Sequence, residues 1–268
     1  MFRDDDAGRY VCHYTTTETF LAHILPTMKL RLSSFSRVND PRESRAWYCS
    51  LTVPDEVADR EWNITQLSAS FTAYMKETAK LLCVTRDDPN FDPNREAYLY
   101  GRCYAHPSMW DRYAGNHSGV CLMFDIEDLG AAVARASEGR GDVYYQAVSY
   151  ADMPPVEHPA YALDASDLFR RGEAEVFRDH QIKHHGALYF WKSRDWAAEF
   201  EYRWVVLDSE SSDIFVNIEE CLAGVIFGDA FTAHTIPMVA QMLADRDVTL
   251  AQMRYRNGHP TVLPVIGT

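Results

Sequence analysis

The chain has 268 residues, 47% of them hydrophobic and 13% aromatic, which is enough to bury a sizeable core in a single domain. A formal net charge of −13 excludes bulk nucleic-acid binding, because most of the surface would repel a phosphate backbone. With no apolar run long enough to span a bilayer, a polar N-terminus (MFRDDDAGRY) and six scattered cysteines, the expectation is a soluble, cytoplasmic protein with buried thiols and no membrane partner.

Residues 10–15 alternate as a short strand, and the Thr15 to Glu18 spacing of a capping box leads into a helix that Pro26 should end. His13 and Thr15 would share a strand face at the mouth of that helix, where free backbone N–H groups favour an anion or a polar ligand. Residues 29–35 give a second strand, and VNDPRE a turn in which Asn39 and Asp40 suit capping and Pro41 a helix start. Lys29, Arg31, Arg37, Arg42 and Arg45 face only Asp40 and Glu43 in this stretch, a basic island in an acidic chain. Ser33, Ser34 and Ser36 set hydroxyls beside Arg31 and Arg37, a combination that suits a phosphate or a ribose as well as an ordinary turn.

Residues 62–80 read as an amphipathic helix and 81–85 as a buried strand, followed by a Pro/Asn/Asp-rich flexible loop at 87–96. Pro107 opens a short helix, 115–119 turn, and 120–124 form a strand. Trp110 fits packing of that helix on the sheet, whereas Tyr113, beside a polar loop, could stack on a planar ring. Residues 143–150 make a further strand, 153–164 a proline-rich connection and 166–187 one helix. His180 and His184 on that helix have metal-ligand spacing without a third ligand, so no metal is expected.

The stretch KSRDWAAEFEYRWVVL at 192–207 organises the chain. Alternation from Glu199 puts Glu199, Glu201 and Arg203 on one strand face and Phe200, Tyr202, Trp204 and Val206 on the other. Two carboxylates at i and i+2 repel unless a cation or a ligand compensates them. The bland alternative is a solvated face on an edge strand; the sharper one is a catalytic carboxylate pair. Residues 222–227 form another strand, 235–243 a helix, and 248–255 with 261–265 two closing strands. Several strands follow one another directly, so the order predicts an α+β fold with a mixed, largely antiparallel sheet and flanking helices.

HYT at 13–15, RLSSFSRVNDPRE at 31–43, MWDRYAGNHSGVCLMFD at 109–125 and WKSRDWAAEFEYRW at 191–204 together resemble an uncharacterised bacterial family known only as a domain of unknown function. The set is also distantly similar to ADP-ribosyltransferases of the DNA-modifying toxin type. That similarity implies an ADP-ribosyltransferase-like fold, with NAD as substrate and a macromolecular acceptor. It implies Glu201 as the carboxylate on the nicotinamide ribose and Glu199 as the group that orients or deprotonates the acceptor. His13, Tyr14, Thr15, Arg31, Ser33, Ser34, Asn39, Tyr113 and Arg203 would then hold the nucleotide. This sequence lacks a clear early-strand arginine and an alignable catalytic tyrosine, and its charge disfavours DNA as acceptor. The alternatives are a non-catalytic nucleotide- or anion-binding module and a nuclease using the Glu199/Glu201 pair with a divalent metal.

Overall fold

The computed structural model describes residues 6–92, 98–152, 158–208, 210 and 212–265. The main sheet strands are β1 (Tyr10–Thr15), β2 (Lys29–Ser34), β3 (Ala79–Arg86), β4 (Val120–Asp125), β5 (Gly141–Ala147), β6 (Glu201–Asp208), β7 (Ile214–Asn217), β8 (Leu222–Phe227), β9 (Thr249–Arg256) and β10 (His259–Pro264). They run β7-β2-β3-β1-β4-β8-β9-β10, with β6 on the other edge of β3 and β5 outside β6. Only the β8–β9 pair is parallel among these described strands. The expected α+β, largely antiparallel sheet is what forms.

Strand β3 makes the sheet unusual, because two strands share one of its edges. Lys80 and Leu81 pair with Ser34 and Ser33 of β2, while Thr85 and Arg86 pair with Cys12 and Val11 of β1. Residues 82–84 lack a ladder partner on that edge, so the sheet splits there. The opposite edge is continuous, from Glu201 opposite Thr85 to Leu207 opposite Ala79.

The helices that cover the sheet faces include α1 (Ile64–Glu77), α2 (Pro107–Tyr113), α3 (Ile126–Ala136) and α4 (Glu173–Tyr189). Trp204 and Val206 join Leu82, Val84 and Leu122 on one face, against Leu129 and Val133 of α3. On the other face Leu81 and Val205 pack with Phe71 and Met75 of α1 and Phe177 and Leu188 of α4. Farther along that face, Cys12, Tyr14 and Met123 pack with Met109 and Trp110 of α2. Opposite residues in a ladder point to one face, so Cys12, Thr85 and Glu201, with Cys83 and Arg203 beside them, form a row between these two clusters.

Several local expectations are corrected. The first helix is capped by Thr16, whose side chain accepts from the Thr19 N–H. It passes through a π turn at Phe20–Ile24 and continues across Pro26 to Thr27, ending at left-handed Met28 (φ 49°). Pro26 stands in the first positions of that last turn, and the helix passes it rather than ending there. The single helix expected at 166–187 is two, Ala165–Arg171 and α4, because Gly172 adopts φ 80°. The strand expected from Glu199 begins at Glu201, after a 3₁₀ turn at Arg194–Glu199 and a left-handed Phe200 (φ 45°). Nor is it an edge strand, since β3 and β5 flank β6 on both sides. Of the loop expected at 87–96, residues 93–96 lie outside those described. Its start is fixed: buried Asp87 accepts from the Gly8 and Cys103 N–H groups at 3.0 and 2.7 Å and pairs with Arg102.

Candidate functional site

The split in the sheet and the row beside it enclose a cavity of about 210 Å³, lined among others by His13, Asn39, Cys83, Thr85, Tyr113, Lys192, Glu199, Glu201 and Arg203. Its chemistry is a buried chain of charges. Arg203, 1% exposed, places Nε 2.5 Å and Nη2 3.0 Å from the two oxygens of Glu201, and Nη1 2.5 Å and Nη2 3.1 Å from those of Glu43. Nη1 also donates to the Tyr189 carbonyl at 2.7 Å. Lys192 Nζ then joins Glu201 Oε2 at 3.0 Å to Glu199 Oε2 at 2.6 Å. Glu199, itself buried, completes the chain, accepting from Tyr113 Oη at 2.8 Å beside half-exposed Arg112 at 3.5 Å.

Each member is delivered by a local structural device. Glu43 sits on the single turn Pro41–Ser44, capped by Asp40, which accepts from the Arg42 N–H at 2.9 Å. The Glu43 and Arg45 carbonyls, left free at the end of that turn, receive buried Lys76 of α1. Lys192 lies on a short bridge, Trp191–Lys192 beside Ser149–Tyr150, and Tyr150 Oη accepts the Glu201 N–H at 2.8 Å. The 3₁₀ turn and Phe200 swing Glu199 back to the cavity, so it meets Lys192 without being on the strand.

Burial and pairing compete at every group. For Glu201, burial favours the neutral form, but Arg203 and Lys192 outweigh it and hold the carboxyl down to about 2. For Glu43, burial wins over the shared Arg203 and pushes the carboxyl above its ordinary range. Burial also works against the Lys192 ammonium, yet Glu201 and Glu199 together raise it. Burial pushes up both the Tyr113 phenol, with Glu199 adding to it, and the Cys83 thiol, with Glu201 adding to it. His13 is pulled down by burial, only partly offset by its Nδ1 contact to the Cys83 carbonyl at 3.1 Å across the split.

The structure brings His13, Tyr14, Asn39, Tyr113, Glu199, Glu201 and Arg203 to one cavity. Tyr14 is mostly a packing residue there, its hydroxyl donating to the Cys103 carbonyl at 2.7 Å and its ring edge-on to Trp110. Arg31 and Ser33 line a second cavity of about 540 Å³, which shares His13 with the first and also holds Thr19, His23 and Lys29. Thr15 and Ser34 line neither. Thr15 is buried, and Ser34 donates to the Lys76 carbonyl at 3.1 Å. The solvated charged face is corrected as well: Glu199, Glu201 and Arg203 are all buried. Trp110 packs as expected, fully buried with Nε1 donating to the Tyr104 carbonyl. His180 Nε2 donates to the Ala160 carbonyl beside the His184 ring, and no group of three or more potential metal ligands is gathered among the described residues.

Sequence reasoning missed Lys192, Glu43 and Thr85. The signal for the first was available, since a buried Glu-x-Glu pair demands a second cation and Lys192 is the nearest basic residue upstream apart from Arg194, which is mostly exposed.

Among the described residues no helix is long and apolar enough to cross a membrane. No curated protein and no solved structure matches the chain. Residues 109–204, which carry Tyr113, Lys192, Glu199, Glu201 and Arg203 but not His13 or Glu43, match the model of the family described as "Protein of unknown function (DUF2971)".

Proposed function

We propose that the protein cleaves the nicotinamide glycosidic bond of NAD and transfers the ADP-ribosyl group to an acceptor, as ADP-ribosyltransferases do. One observation carries this reading. His13 on the first strand and Glu201 at the start of the late Glu-x-Glu strand both line the cavity at the split of β3, Glu201 opposite Thr85 on one sheet face and His13, paired with Leu122, reaching it from the other. An early histidine and a late glutamate at one cavity are the pair that this reading assigns to the nucleotide.

The electrostatics support it. Breaking the C1′–N bond leaves positive charge on the ribose, while the electron pair departs with nicotinamide; a carboxylate stabilises that charge only if ionised. Glu201, held down to about 2, is ionised at neutral pH. Glu199, next to half-exposed Arg112, is the carboxylate assigned to the acceptor proton, which passes to its Oε1 in exchange for the Tyr113 hydrogen bond as the acceptor bonds C1′. The first cavity is too small for a whole dinucleotide and suits the nicotinamide–ribose end. The second cavity, continuing from His13 to Lys29 and Arg31, suits the phosphates.

A non-catalytic nucleotide-binding module is the second reading, favoured by the fact that both Glu201 oxygens are already engaged by Arg203 and Lys192. A metal-dependent nuclease is disfavoured because the Lys192 ammonium already bridges the two carboxylates a divalent ion would need. The deciding experiment measures free nicotinamide from NAD, with cell extract as acceptor, for wild type and Glu201→Gln. Release by wild type alone supports the transferase; no release by either, with the fold intact, leaves the binding module.

A further inference from the structure

Among the side-chain oxygens and nitrogens of the cavity row, that of Thr85 is the one without a partner among the described residues. It is 1% exposed, lines the cavity, and its Oγ1 is buried with no hydrogen-bond partner. A buried hydroxyl without a partner costs stability, so its position calls for a reason beyond packing. Valine would fill the same volume without that cost. The ladder places Thr85 between Cys12 on one side and Glu201 on the other, all on one face. The charged groups around it are already paired with one another: Arg203 with Glu201 and Glu43, and Lys192 with Glu201 and Glu199. What remains free on the floor is therefore a neutral hydrogen-bonding group, about one cross-strand spacing from the Glu201 carboxylate.

We propose that Thr85 is a direct ligand contact of this site, its hydroxyl pairing with a hydroxyl of the same ribose that Glu201 addresses. The proposal rests on the NAD reading above and adds the recognition of the sugar. Adjacent residues on neighbouring strands hold their side-chain ends a few ångströms apart, which matches two neighbouring hydroxyls on one sugar ring. Glu201 can only accept, whereas Thr85 can both donate and accept, so the pair distinguishes a ribose from a deoxyribose or an aliphatic group.

The test uses carba-NAD, in which a methylene replaces the ring oxygen of the nicotinamide ribose and hydrolysis is blocked. Its dissociation constant is measured for wild type, Thr85→Val and Thr85→Ser, with the melting temperature of each free protein. Thr85→Val should bind about five-fold or more weakly, Thr85→Ser like wild type, and the free Thr85→Val protein should melt no lower than wild type. Of the analogues lacking the 2′- or 3′-hydroxyl on that ring, one should bind wild type as weakly as Thr85→Val binds the parent, and lose nothing more in the variant. Thr85→Val binding that equals wild type, or a lowered melting temperature rescued by Thr85→Ser, overturns the role of Thr85 alone. Absence of binding by wild type overturns the NAD reading, and the ribose contact falls with it.

Discussion

The ammonium of Lys192 lies between two carboxylates, 2.6 Å from Glu199 Oε2 and 3.0 Å from Glu201 Oε2, with all three side chains buried. A Glu-x-Glu segment by itself holds two like charges close together. Here a two-residue bridge and a 3₁₀ turn bring one cation to both, and Arg203 closes the far side of Glu201 through two nitrogens. The result is a carboxylate that stays ionised although it is out of water.

Removing one partner from such a chain leaves an uncompensated buried charge, which typically costs about 3–5 kcal/mol. Lys192→Met is therefore expected to destabilise the fold by that amount, read as the loss in unfolding free energy by urea titration. Lys192→Arg should recover part of it. A loss below about 1 kcal/mol for Lys192→Met would mean that the pairing is solvent-screened after all.

Acid should act in two stages. Burial holds the His106 imidazole down to about 4 from 6.5, so the folded state keeps it neutral while the unfolded chain takes up a proton. That contribution is complete above pH 6.5 and is lost as the pH falls toward 4. Glu201 lies at about 2 against an ordinary 4.5, so its contribution is complete above pH 4.5 and is lost as the pH falls toward 2. Glu43, raised by burial, acts in the opposite sense and is relieved by protonation. Melting temperatures across this range should fall in both stages for wild type, whereas Glu201→Gln should make the fall below pH 4.5 shallower, Asp208 with Lys80 and Arg140 still contributing to it, and leave the upper stage in place.

How much of this was legible in the sequence differs residue by residue. The parity of β6 was: Glu201 and Arg203 do share a face opposite Trp204 and Val206, because strand periodicity is local. The environment of that face was not. A polar row normally faces water, and only the approach of α1, α4 and the turn at Pro41–Ser44 buries it. Glu43 meets Arg203 across 160 residues, a contact that no local spacing encodes. The left-handed Phe200 and Met28 were equally invisible, since bulky residues carry no preference for that conformation and tertiary packing imposes it. Capped turns fared better, as Asp40–Pro41 shows, because their chemistry lies within a few residues.

Gly119 marks the point where the turn after α2 passes under β1. A Cβ there would stand 2.2 Å from the Thr15 carbonyl oxygen and 2.8 Å from that of Ala114, both backbone atoms that cannot swing away. Gly119→Ala is thus expected to force β1 and β4 apart and destabilise by about 3 kcal/mol or more, at the upper end of overpacking costs. Since β1 carries His13, the same variant should also weaken carba-NAD binding. A melting temperature within a degree of wild type would contradict this close approach.

Arg31 and Glu201 separate binding from chemistry. Arg31 is about half exposed, 3.5 Å from Asp213, and lines the second cavity rather than the first. If phosphates lie there, Arg31→Ala removes a charge-assisted hydrogen bond worth about 1.5–3 kcal/mol that is present equally in ground and transition states. Its KM for NAD should then rise roughly ten-fold or more with kcat little changed, and an exposed pair leaves the fold untouched. Glu201→Gln removes the charge that the breaking glycosidic bond requires and also weakens the ribose contact and the pairing of Arg203 and Lys192, so kcat should fall by roughly a hundred-fold or more, KM should rise by less than that, and the free protein should melt lower. Steady-state release of nicotinamide from NAD gives both constants. If Arg31→Ala lowered kcat and left KM alone, the phosphates would not be in the second cavity, and the dinucleotide would have to leave the first cavity in another direction.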